Sequence, residues 1–353
     1  MDRPLKINVI GGGPGGLYFS LLMKLQDPRH DISVYERNRP DDTFGFGVVF
    51  SDETLGNFMG QDPETYLRIR DAFAYWDEIE VRYRGERIRS GGHGFAGMSR
   101  QKLLDILQGR CQETGVKFCF ETEVSDLDPY LDADLVMGSD GVNSTVREAY
   151  KGIFKPTIDM RKTKFVWLGT TQKFDAFTFI FKPNKHGWFY NHAYQYGQGE
   201  GVAASTWILE THEDTWLRAG LDQTDEGETI AYFEDMFCEE LEGHKLLSNK
   251  SIWRNFPVVS NKKWHHQNIV LIGDAAHTAQ FSIGSGTKIA MEGAISLFES
   301  IRKENSISEA LANYQERREM EISRLQRSAM VSLQWYENAR RYNDLTPPQY
   351  AFN

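Results

Sequence analysis

A carboxylate stands where an apolar strand is predicted to end. Residues 269–272 (IVLI) are apolar, and Gly273 and Asp274 follow them directly. Ligands of α/β folds bind at the carboxyl edge of the sheet, so Asp274 would be placed to accept hydrogen bonds from a polyol chain. A helix is predicted to begin at the small residues that come next: Gly284, Ser285, Gly286 and Thr287. Its positive end would face the same ligand. An ordinary turn would show a similar pattern, so this motif alone leaves both interpretations open.

A glycine cluster near the N-terminus follows another short strand and opens a helix. It consists of Gly11, Gly13, Pro14, Gly15 and Gly16 and satisfies the pattern G-x-G-x-x-G. Such glycines permit a tight turn and the close approach of a pyrophosphate to the N-terminus of the helix. Glu36 ends the next strand, where an acidic side chain can hold the ribose hydroxyls of an adenosine, and Arg37 lies beside it. The combination predicts dinucleotide binding without separating FAD from NAD.

A third motif has the same form. An apolar strand that begins near Asp134 ends in Asp140-Gly141, and Ser144 and Arg147 follow at short offsets. A strand that simply ends in an Asp-Gly turn is the alternative.

These motifs require a parallel sheet to position them. Strand 6–10, helix 14–26 and strand 31–36 have βαβ spacing. Residues 79–89 predict a hairpin, and Ser99 predicts the cap of a helix. From about residue 163 to 210, short segments rich in aromatic and β-branched residues predict an antiparallel sheet. Helical patterns return at 224–242 and from Ser306 to about Tyr342.

Composition narrows the functional class. The chain has 353 residues, of which 40% are apolar, and a net charge of −10, which disfavours nucleic acid as a partner. We expect no membrane span, because no apolar run approaches the roughly 20 residues that a span needs, and no signal peptide. The chain has three cysteines without a C-x-x-C motif. These observations predict a cytoplasmic enzyme without a disulfide framework or a metal site.

Taken together and in this order, GxGxxG, DG…S..R and GDAAH resemble the flavoprotein aromatic hydroxylases of the para-hydroxybenzoate hydroxylase fold. The resemblance covers nearly the whole chain. It implies an α/β protein with a discontinuous Rossmann-like FAD-binding domain, an inserted antiparallel β-sheet substrate domain and a long C-terminal helix. The expected FAD-binding pieces are 1–75, 98–162 and 260–303, the sheet domain is 76–97 with 163–259, and the helical segment is 304–353.

The same resemblance implies roles for individual residues. The glycine cluster and Glu36 would bind the ADP half of FAD, Asp274 the ribityl chain, and Asp140 with Gly141 both flavin and pyridine nucleotide. Arg100, at the start of the helix after the hairpin, would approach the flavin. The further expected cofactor contacts are Arg37, Phe46, Gly47, Val48, Gly284, Ser285, Gly286 and Thr287.

A narrower resemblance rests on the longer strings YERNRPDDTFGFGVVFSDETLGNF, RSGGHGFAGMSR, FVWLGTTQKFDAFTF, HGWFYNHAYQY and QFSIGSGTK. These are similar to the flavin monooxygenases that act on aryl-CoA thioesters, such as salicylyl-CoA 5-hydroxylase and the monooxygenase part of 2-aminobenzoyl-CoA monooxygenase/reductase. This resemblance implies 5-hydroxylation of 2-aminobenzoyl-CoA or salicylyl-CoA, with NADH or NADPH and O2, through a flavin hydroperoxide. It also suggests a C-terminal reductase domain that is either fused to this chain or missing from it.

Candidate catalytic residues are His93 and His192, as substrate contacts or proton-transfer groups, and Lys288, which would stabilise negative charge on reduced flavin if it points inward. A purely structural histidine is as good an interpretation of each. Trp167, Tyr194 and Phe281 are expected to line the ring pocket, although most aromatic residues of such a sheet are simply core. The arginines of the hairpin, Arg82, Arg84, Arg87 and Arg89, could meet the CoA phosphates or form a solvated face.

Three alternatives remain open at this stage. The substrate could be a free aromatic compound such as tryptophan or an indole, or the chain could be a flavin-binding module of a larger bifunctional enzyme. A plain NAD-dependent dehydrogenase is the third. Gln280-Phe281 and Lys288 stand where the broader family has Pro-Pro and Asn, which agrees with the CoA-thioester subgroup.

Overall fold

The structure, a computed structural model, describes residues 3–197, 205–281, 284 and 286–353, and for residues 51–55 it describes the backbone only. The described strands are β1 (Lys6–Ile10), β2 (Asp31–Tyr35), β3 (Gly47–Ser51), β4 (Ala74–Trp76), β5 (Ile79–Tyr83), β6 (Glu86–Ser90), β7 (Phe95–Ser99), β8 (Lys117–Cys119), β9 (Leu135–Gly138), β10 (Pro156–Thr170), β11 (Phe177–Asn184), β12 (Gly187–Gln195), β13 (Ser205–His212), β14 (Leu246–Leu247), β15 (Arg254–Asn261), β16 (His265–His266) and β17 (Ile269–Leu271). The described α-helices are α1 (Pro14–Gln26), α2 (Asp52–Gln61), α3 (Pro63–Arg70), α4 (Arg100–Glu113), α5 (Thr145–Ala149), α6 (Lys151–Phe154), α7 (Glu213–Arg218), α8 (Glu226–Met236), α9 (Cys238–Leu241), α10 (Gly286–Lys303), α11 (Ile307–Glu337) and α12 (Pro347–Ala351).

A parallel sheet forms the first layer. Its strand order is β17-β9-β1-β2-β8, with β16 antiparallel at the edge beside β17. Ile7 and Val9 of β1 are fully buried, as expected for a strand covered on both faces. Helix α1 packs against α4 and α10. The predicted βαβ unit is therefore confirmed, and α1 has the predicted bounds.

A mainly antiparallel sheet, in which only the described pair β5 and β11 is parallel, is inserted between the strands of the first. Its order is β14-β10-β13-β12-β11-β5-β6, and β15 pairs with the outer part of β10. Because β9 and β17 are neighbours in the parallel sheet, the segment that contains β10 to β15 is a long excursion from it. The predicted fold class, an α/β domain with an inserted antiparallel sheet, is confirmed.

Successive side chains of each strand point to opposite faces of the inserted sheet. One face packs Val166, Leu168, Phe189 and Trp207 against Phe233 and other residues around α8 and α9. The opposite face, called the inner face below, carries side chains that cluster with Val49 of β3, Trp76 of β4 and Phe95 of β7: Phe177, Phe179, Tyr194, Ile208 and Trp167.

A small third sheet, with the order β3-β7-β4, was not predicted. It joins the segment after β2 to the end of the β5–β6 hairpin, directly before α4. Ser99 caps α4 as predicted, since its hydroxyl accepts a hydrogen bond from the backbone of Lys102.

Helix α11 begins at the Ser306 cap as predicted and ends at Glu337, before a 3-10 turn at Ala339–Tyr342. Its last turn reaches the inserted sheet, where the Glu337 carboxylate pairs with Arg161 of β10. Among the helices of the described residues, none has the length and apolar character needed to cross a membrane.

Candidate functional site

The three strand-end motifs meet at one edge of the parallel sheet. Strand β9 lies between β1 and β17, with Gly138 paired to both Ile10 and Leu271. The chain segments that leave these strands are therefore neighbours. They form one side of a cleft whose lining residues include Gly13, Pro14, Gly15, Gly47, Val48, Val49, Arg100, Ser139, Gly141, Trp167, Tyr194, Phe256, Phe281, Asp274, Gly284, Gly286, Thr287 and Ala290.

Three glycines of the cluster, Gly11, Gly15 and Gly16, are packed too closely to tolerate side chains. Gly11 has φ +102°, and a Cβ there would lie 2.5 Å from the Ser139 carbonyl oxygen. A Cβ on Gly16 would lie 2.5 Å from Ser139 Oγ, and one on Gly15 would lie 2.9 Å from the Ala290 carbonyl of α10. Gly11 and Gly16 thus hold the loop against β9, while Gly13 and Gly15 line the cleft.

Glu36 is joined to this loop. Its Oε2 accepts a hydrogen bond of 2.8 Å from the Gly12 amide, and its Oε1 accepts one of 2.8 Å from the Asn38 amide. Arg37, next to it, is exposed to solvent. The carboxylate therefore lies beside the N-terminus of α1, where the adenosine end of a dinucleotide would come.

Asp140 lies under the cleft and Gly141 lines it. Asp140 Oδ2 accepts hydrogen bonds from the backbone of Thr145 at 2.7 Å and Val146 at 3.2 Å, which fixes the start of α5. Burial raises the pKa of the Asp140 carboxyl, partly offset by these hydrogen bonds. Arg147 joins this motif to the next, because its Nη1 donates to the Ala275 carbonyl at 3.0 Å.

Asp274 lies on the floor of the cleft. Its side chain is open to the cleft but surrounded by protein on the other sides, and this burial raises the pKa of its carboxyl, while Arg100 and Arg147 lower it. Burial lowers the pKa of the Arg100 guanidinium, and Asp274 opposes that shift. Arg100 Nε is buried without a hydrogen-bond partner among the described residues. The pair thus presents a donor and an acceptor to a ligand in the cleft.

The segment after Asp274 closes the same side of the cleft. Gly284 has φ +63° and faces Val49, and α10 begins at Gly286 with Thr287. Both Gly286 and Thr287 line the cleft, so the N-terminus of an 18-residue helix points towards it. Ser285 lies outside the described residues.

An aromatic wall, formed by residues of the inner face and by Phe281, also lines the cleft. Trp167, Tyr194 and Phe281 line the cleft, and Phe281 packs 6.1 Å from Trp167 between ring centroids. The Tyr194 hydroxyl donates to the Gly47 carbonyl at 3.1 Å, which joins the sheet to β3. Phe46 is connected to the cleft through Arg100, because its carbonyl accepts a hydrogen bond from the Arg100 amide at 2.9 Å.

Lys288, which would stabilise charge on reduced flavin if it pointed inward, is not among the described residues that line the cleft. It lines a polar cavity on the opposite face of α10, together with Glu292, Arg317 and Arg318, and its Nζ lies 3.8 Å from Glu292 Oε1. This location does not support a direct role in charge stabilisation at the cleft.

The two candidate histidines occupy different environments. His93 is exposed on the turn after β6, where its Nε2 lies 2.9 Å from Ser90 Oγ. His192 is 1% exposed on the inner face, beside Phe281, whose ring centroid is 5.9 Å away. Its Nε2 lies 3.5 Å from Oε2 of Glu210, a residue that sequence patterns did not single out.

Two of the four hairpin arginines, Arg82 and Arg89, are paired with carboxylates. The buried carboxylate of Glu80 pairs with both Arg82 and Arg89, and Arg89 also pairs with Glu78 and Asp175. Arg82 and Arg89 therefore serve the local structure of the hairpin, in agreement with the alternative interpretation of a structural charged face for these two residues. Among the described residues, no group of three or more His, Cys, Asp or Glu side chains is arranged to hold a metal ion.

The residues of the cleft fit FAD. Backbone amides at the start of α1 suit a pyrophosphate, Asp274 opens to the cleft as an acceptor, and the unpartnered Arg100 Nε is a donor. Ser139, Val49, Phe256 and Ala290 also line the cleft and were missed, because nothing in their local sequence distinguishes them from core or turn residues.

Comparisons with known proteins agree with this geometry. A family model described as an FAD binding domain matches residues 110–329. Salicyloyl-CoA 5-hydroxylase of a Streptomyces species is 44% identical over 99% of this chain and 69% of its own length. Protodeoxyviolaceinate monooxygenase of Chromobacterium violaceum is 31% identical over 98% of this chain and 93% of its own. The crystal structure of 2-methyl-3-hydroxypyridine-5-carboxylic acid oxygenase has the same fold, with a TM-score of 0.77, 19% identity and coverage of 98% and 94%.

Proposed function

We propose that this chain, which belongs to the family of FAD-dependent aromatic hydroxylases, acts on an aromatic ring carried as a CoA thioester. The reaction class, an NAD(P)H- and O2-dependent aromatic monooxygenation with FAD, follows from the family. The ester form and the position are the proposal: 2-aminobenzoyl-CoA or salicylyl-CoA, hydroxylated at position 5. The 44% identical salicyloyl-CoA 5-hydroxylase supports both.

One observation carries the proposal. The Asp274–Arg100 side of the cleft and the aromatic wall of Trp167, Tyr194 and Phe281 line a single space. An isoalloxazine held on the first side would therefore meet a substrate ring packed on the second. Aromatic side chains provide a large apolar contact area for such a ring.

The residues of the chain have distinct tasks in this arrangement. FAD, when bound, supplies the activation of O2 that places one oxygen atom on the ring. Asp274 accepts hydrogen bonds from the ribityl hydroxyls, and the N-terminus of α10 favours negative charge nearby. The aromatic wall excludes water from the space between flavin and substrate.

The experiment is product analysis by mass spectrometry after incubation of the FAD-loaded chain with NADH or NADPH. The panel contains salicylyl-CoA, 2-aminobenzoyl-CoA, the two free acids and tryptophan. We expect a 5-hydroxylated aryl-CoA and faster NAD(P)H oxidation with the CoA esters only. Hydroxylation of a free compound, without turnover of any CoA ester, contradicts the proposed substrate.

A free aromatic substrate is the second candidate, and one comparison favours it. Protodeoxyviolaceinate monooxygenase, at 31% identity over most of both chains, has a name that specifies no CoA ester. The tryptophan arm of the panel tests this candidate.

We also propose that the cofactor half comprises 1–75, 98–162 and 260–303, with 76–97 and 163–259 forming the substrate half.

A C-terminal reductase domain, fused to the chain or missing from it, is a further part of the proposal. Stopped-flow reduction of the bound flavin by NADH, with the chain alone, tests it. Reduction at a rate that matches turnover contradicts a need for such a domain.

A further inference from the structure

The inner face of the inserted sheet carries an ionisable pair within an aromatic surface. Phe177 and Phe179 of β11 and Tyr194 of β12 lie on this face, and His192 of β12 shares it by the two-residue period of a strand. Glu210, on β13, pairs in register with Tyr190, which is two residues before His192 on the same face. The cross-strand diagonal brings His192 Nε2 to 3.5 Å from Glu210 Oε2.

Both side chains are 1% exposed, and protein groups do not satisfy them. Neither nitrogen of His192 nor Oε2 of Glu210 has a hydrogen-bond partner among the described residues. The surroundings are aromatic: the His192 centroid is 5.2 Å from Phe179, 5.9 Å from Phe281 and 5.0 Å from Tyr336. Burying polar groups in this way costs free energy unless something pairs with them.

The pair is adjacent to the cleft. Tyr194, which lines the cleft, is two residues beyond His192 on the same face of β12, and Phe281 contacts both the cleft and the His192 ring. A substrate ring packed on the aromatic wall would therefore have one edge beside Phe281 and His192. An ortho substituent on that edge would approach the imidazole.

We propose that Glu210 is a positioning residue that orients His192 to recognise an ortho hydroxyl or amino group on the substrate ring. This inference rests on the proposed function. The Glu210 carboxylate accepts a hydrogen bond from His192 Nε2–H, which leaves Nδ1 as an acceptor for the substituent. Catalytic hydrogen bonds are often long before substrate binds, in agreement with the 3.5 Å separation. The pair thereby selects rings whose substituent donates a hydrogen bond.

The test compares ligands that differ only in the donor group. Salicylyl-CoA and benzoyl-CoA, and salicylate and benzoate as free acids, are titrated into the FAD-loaded protein. Binding is followed through the change in the visible absorbance of the flavin, which needs no turnover. We expect the wild-type protein to bind the hydroxyl-bearing member roughly tenfold more tightly, the worth of one hydrogen bond in a buried site.

Glu210→Gln should lose most of this preference while binding the unsubstituted member as wild type does, and His192→Phe should abolish it. Thr211→Val is the matched control. Thr211 is equally buried and adjacent to Glu210, but its Oγ1 donates to the Trp188 carbonyl at 2.7 Å on the other face. This variant should keep the full preference.

Three results overturn the inference. The wild-type protein could bind both ligands with the same affinity, or the Glu210→Gln variant could keep the wild-type preference for the hydroxyl-bearing ligand. The third is a Glu210→Gln variant that loses the same affinity for both ligands. A merely structural role for Glu210 would weaken both ligands together. If only the free acids bind, the CoA part of the proposed function fails, while the hydroxyl preference still tests the pair.

Discussion

Two charged side chains, Asp274 and Arg100, provide a hydrogen-bond acceptor and a hydrogen-bond donor in the cleft. Replacing Asp274 by Ala removes the acceptor on the floor of the cleft. Hydrogen bonds to a charged group contribute about 1.5–3 kcal/mol, so FAD affinity should fall about tenfold to a hundredfold. Titration of the apoprotein with FAD, followed by flavin fluorescence, measures this. Asp132→Asn, which affects a surface carboxylate paired with Lys6, is the control and should bind FAD as wild type does. Unchanged affinity in the Asp274 variant would remove this residue from the site.

His277 predicts a pH dependence of stability. Its ring is buried, 4.8 Å from Trp264, and burial, with a smaller effect of Arg318, lowers its pKa to about 3. Because the unfolded chain protonates the His277 ring more readily than the folded protein does, acid favours unfolding. The buried neutral ring contributes fully to the free energy of unfolding above pH 6.5, and this contribution is lost as the pH falls towards 3. The loss at pH 4 should be on the order of 3 kcal/mol.

Urea unfolding at pH 7 and pH 4 measures that contribution. The wild-type protein should lose more stability on acidification than His277→Asn, which has no group to titrate at this position. Parallel losses in the two proteins would show that other groups, such as paired carboxylates, account for the whole acid effect.

At the scale of elements, the packing of α1 on the parallel sheet depends on Gly16. A Cβ there would lie 2.5 Å from Ser139 Oγ and 2.6 Å from the Gly11 carbonyl. Gly16→Ala should therefore lower the melting temperature by several degrees and weaken FAD binding, because the loop must move. Gly109→Ala in α4 is the matched control, since a Cβ there meets nothing within 4 Å, and it should leave stability equal or slightly raised. Equal melting temperatures for the two variants would contradict the packing argument.

Elements with strong local signals could be predicted from the sequence. The bounds of α1 and the caps at Ser99 and Ser306 were predicted, because capping side chains and apolar periodicity are local properties. The β3-β7-β4 sheet was not, since its strands are short and pair across a long sequence separation. The direction of the Lys288 side chain, on which its predicted role depended, could not be read from the sequence either. It depends on the rotational phase of α10, which the packing of Ala290 against the glycine loop determines.

At the scale of the whole molecule, Phe281 joins the two halves of the cleft. Its ring contacts Phe165 of the inserted sheet at 4.8 Å between centroids, although in the chain it follows β17 and the turn that contains Asp274. Phe281→Ala should open the space to water, so that more of the NAD(P)H oxidised yields H2O2 instead of product. Phe118→Ala, on β8, is the control. In this variant NAD(P)H oxidation should remain coupled to hydroxylation. The ratio of hydroxylated product to NAD(P)H consumed checks this, and an unchanged ratio would exclude Phe281 from shielding the site.

The assembly of the site could be predicted only in part. The three motifs each mark a strand end, and parallel strands place such ends at one edge, so the convergence of Gly13, Gly141 and Asp274 follows from the pattern. The His192–Glu210 pair does not, because it depends on the register of β12 with β13. A slip of one residue would turn Glu210 to the other face.

Incorporation of oxygen from ¹⁸O2 tests the central claim most directly. The FAD-loaded chain is incubated with salicylyl-CoA, NADH and ¹⁸O2, and the aryl group is analysed by mass spectrometry. We expect a dihydroxylated ring in which the new hydroxyl, at position 5, carries one ¹⁸O atom. NADH consumption that yields only labelled H2O2 and unchanged salicylyl-CoA, while a free aromatic compound in the same assay acquires the label, would contradict it.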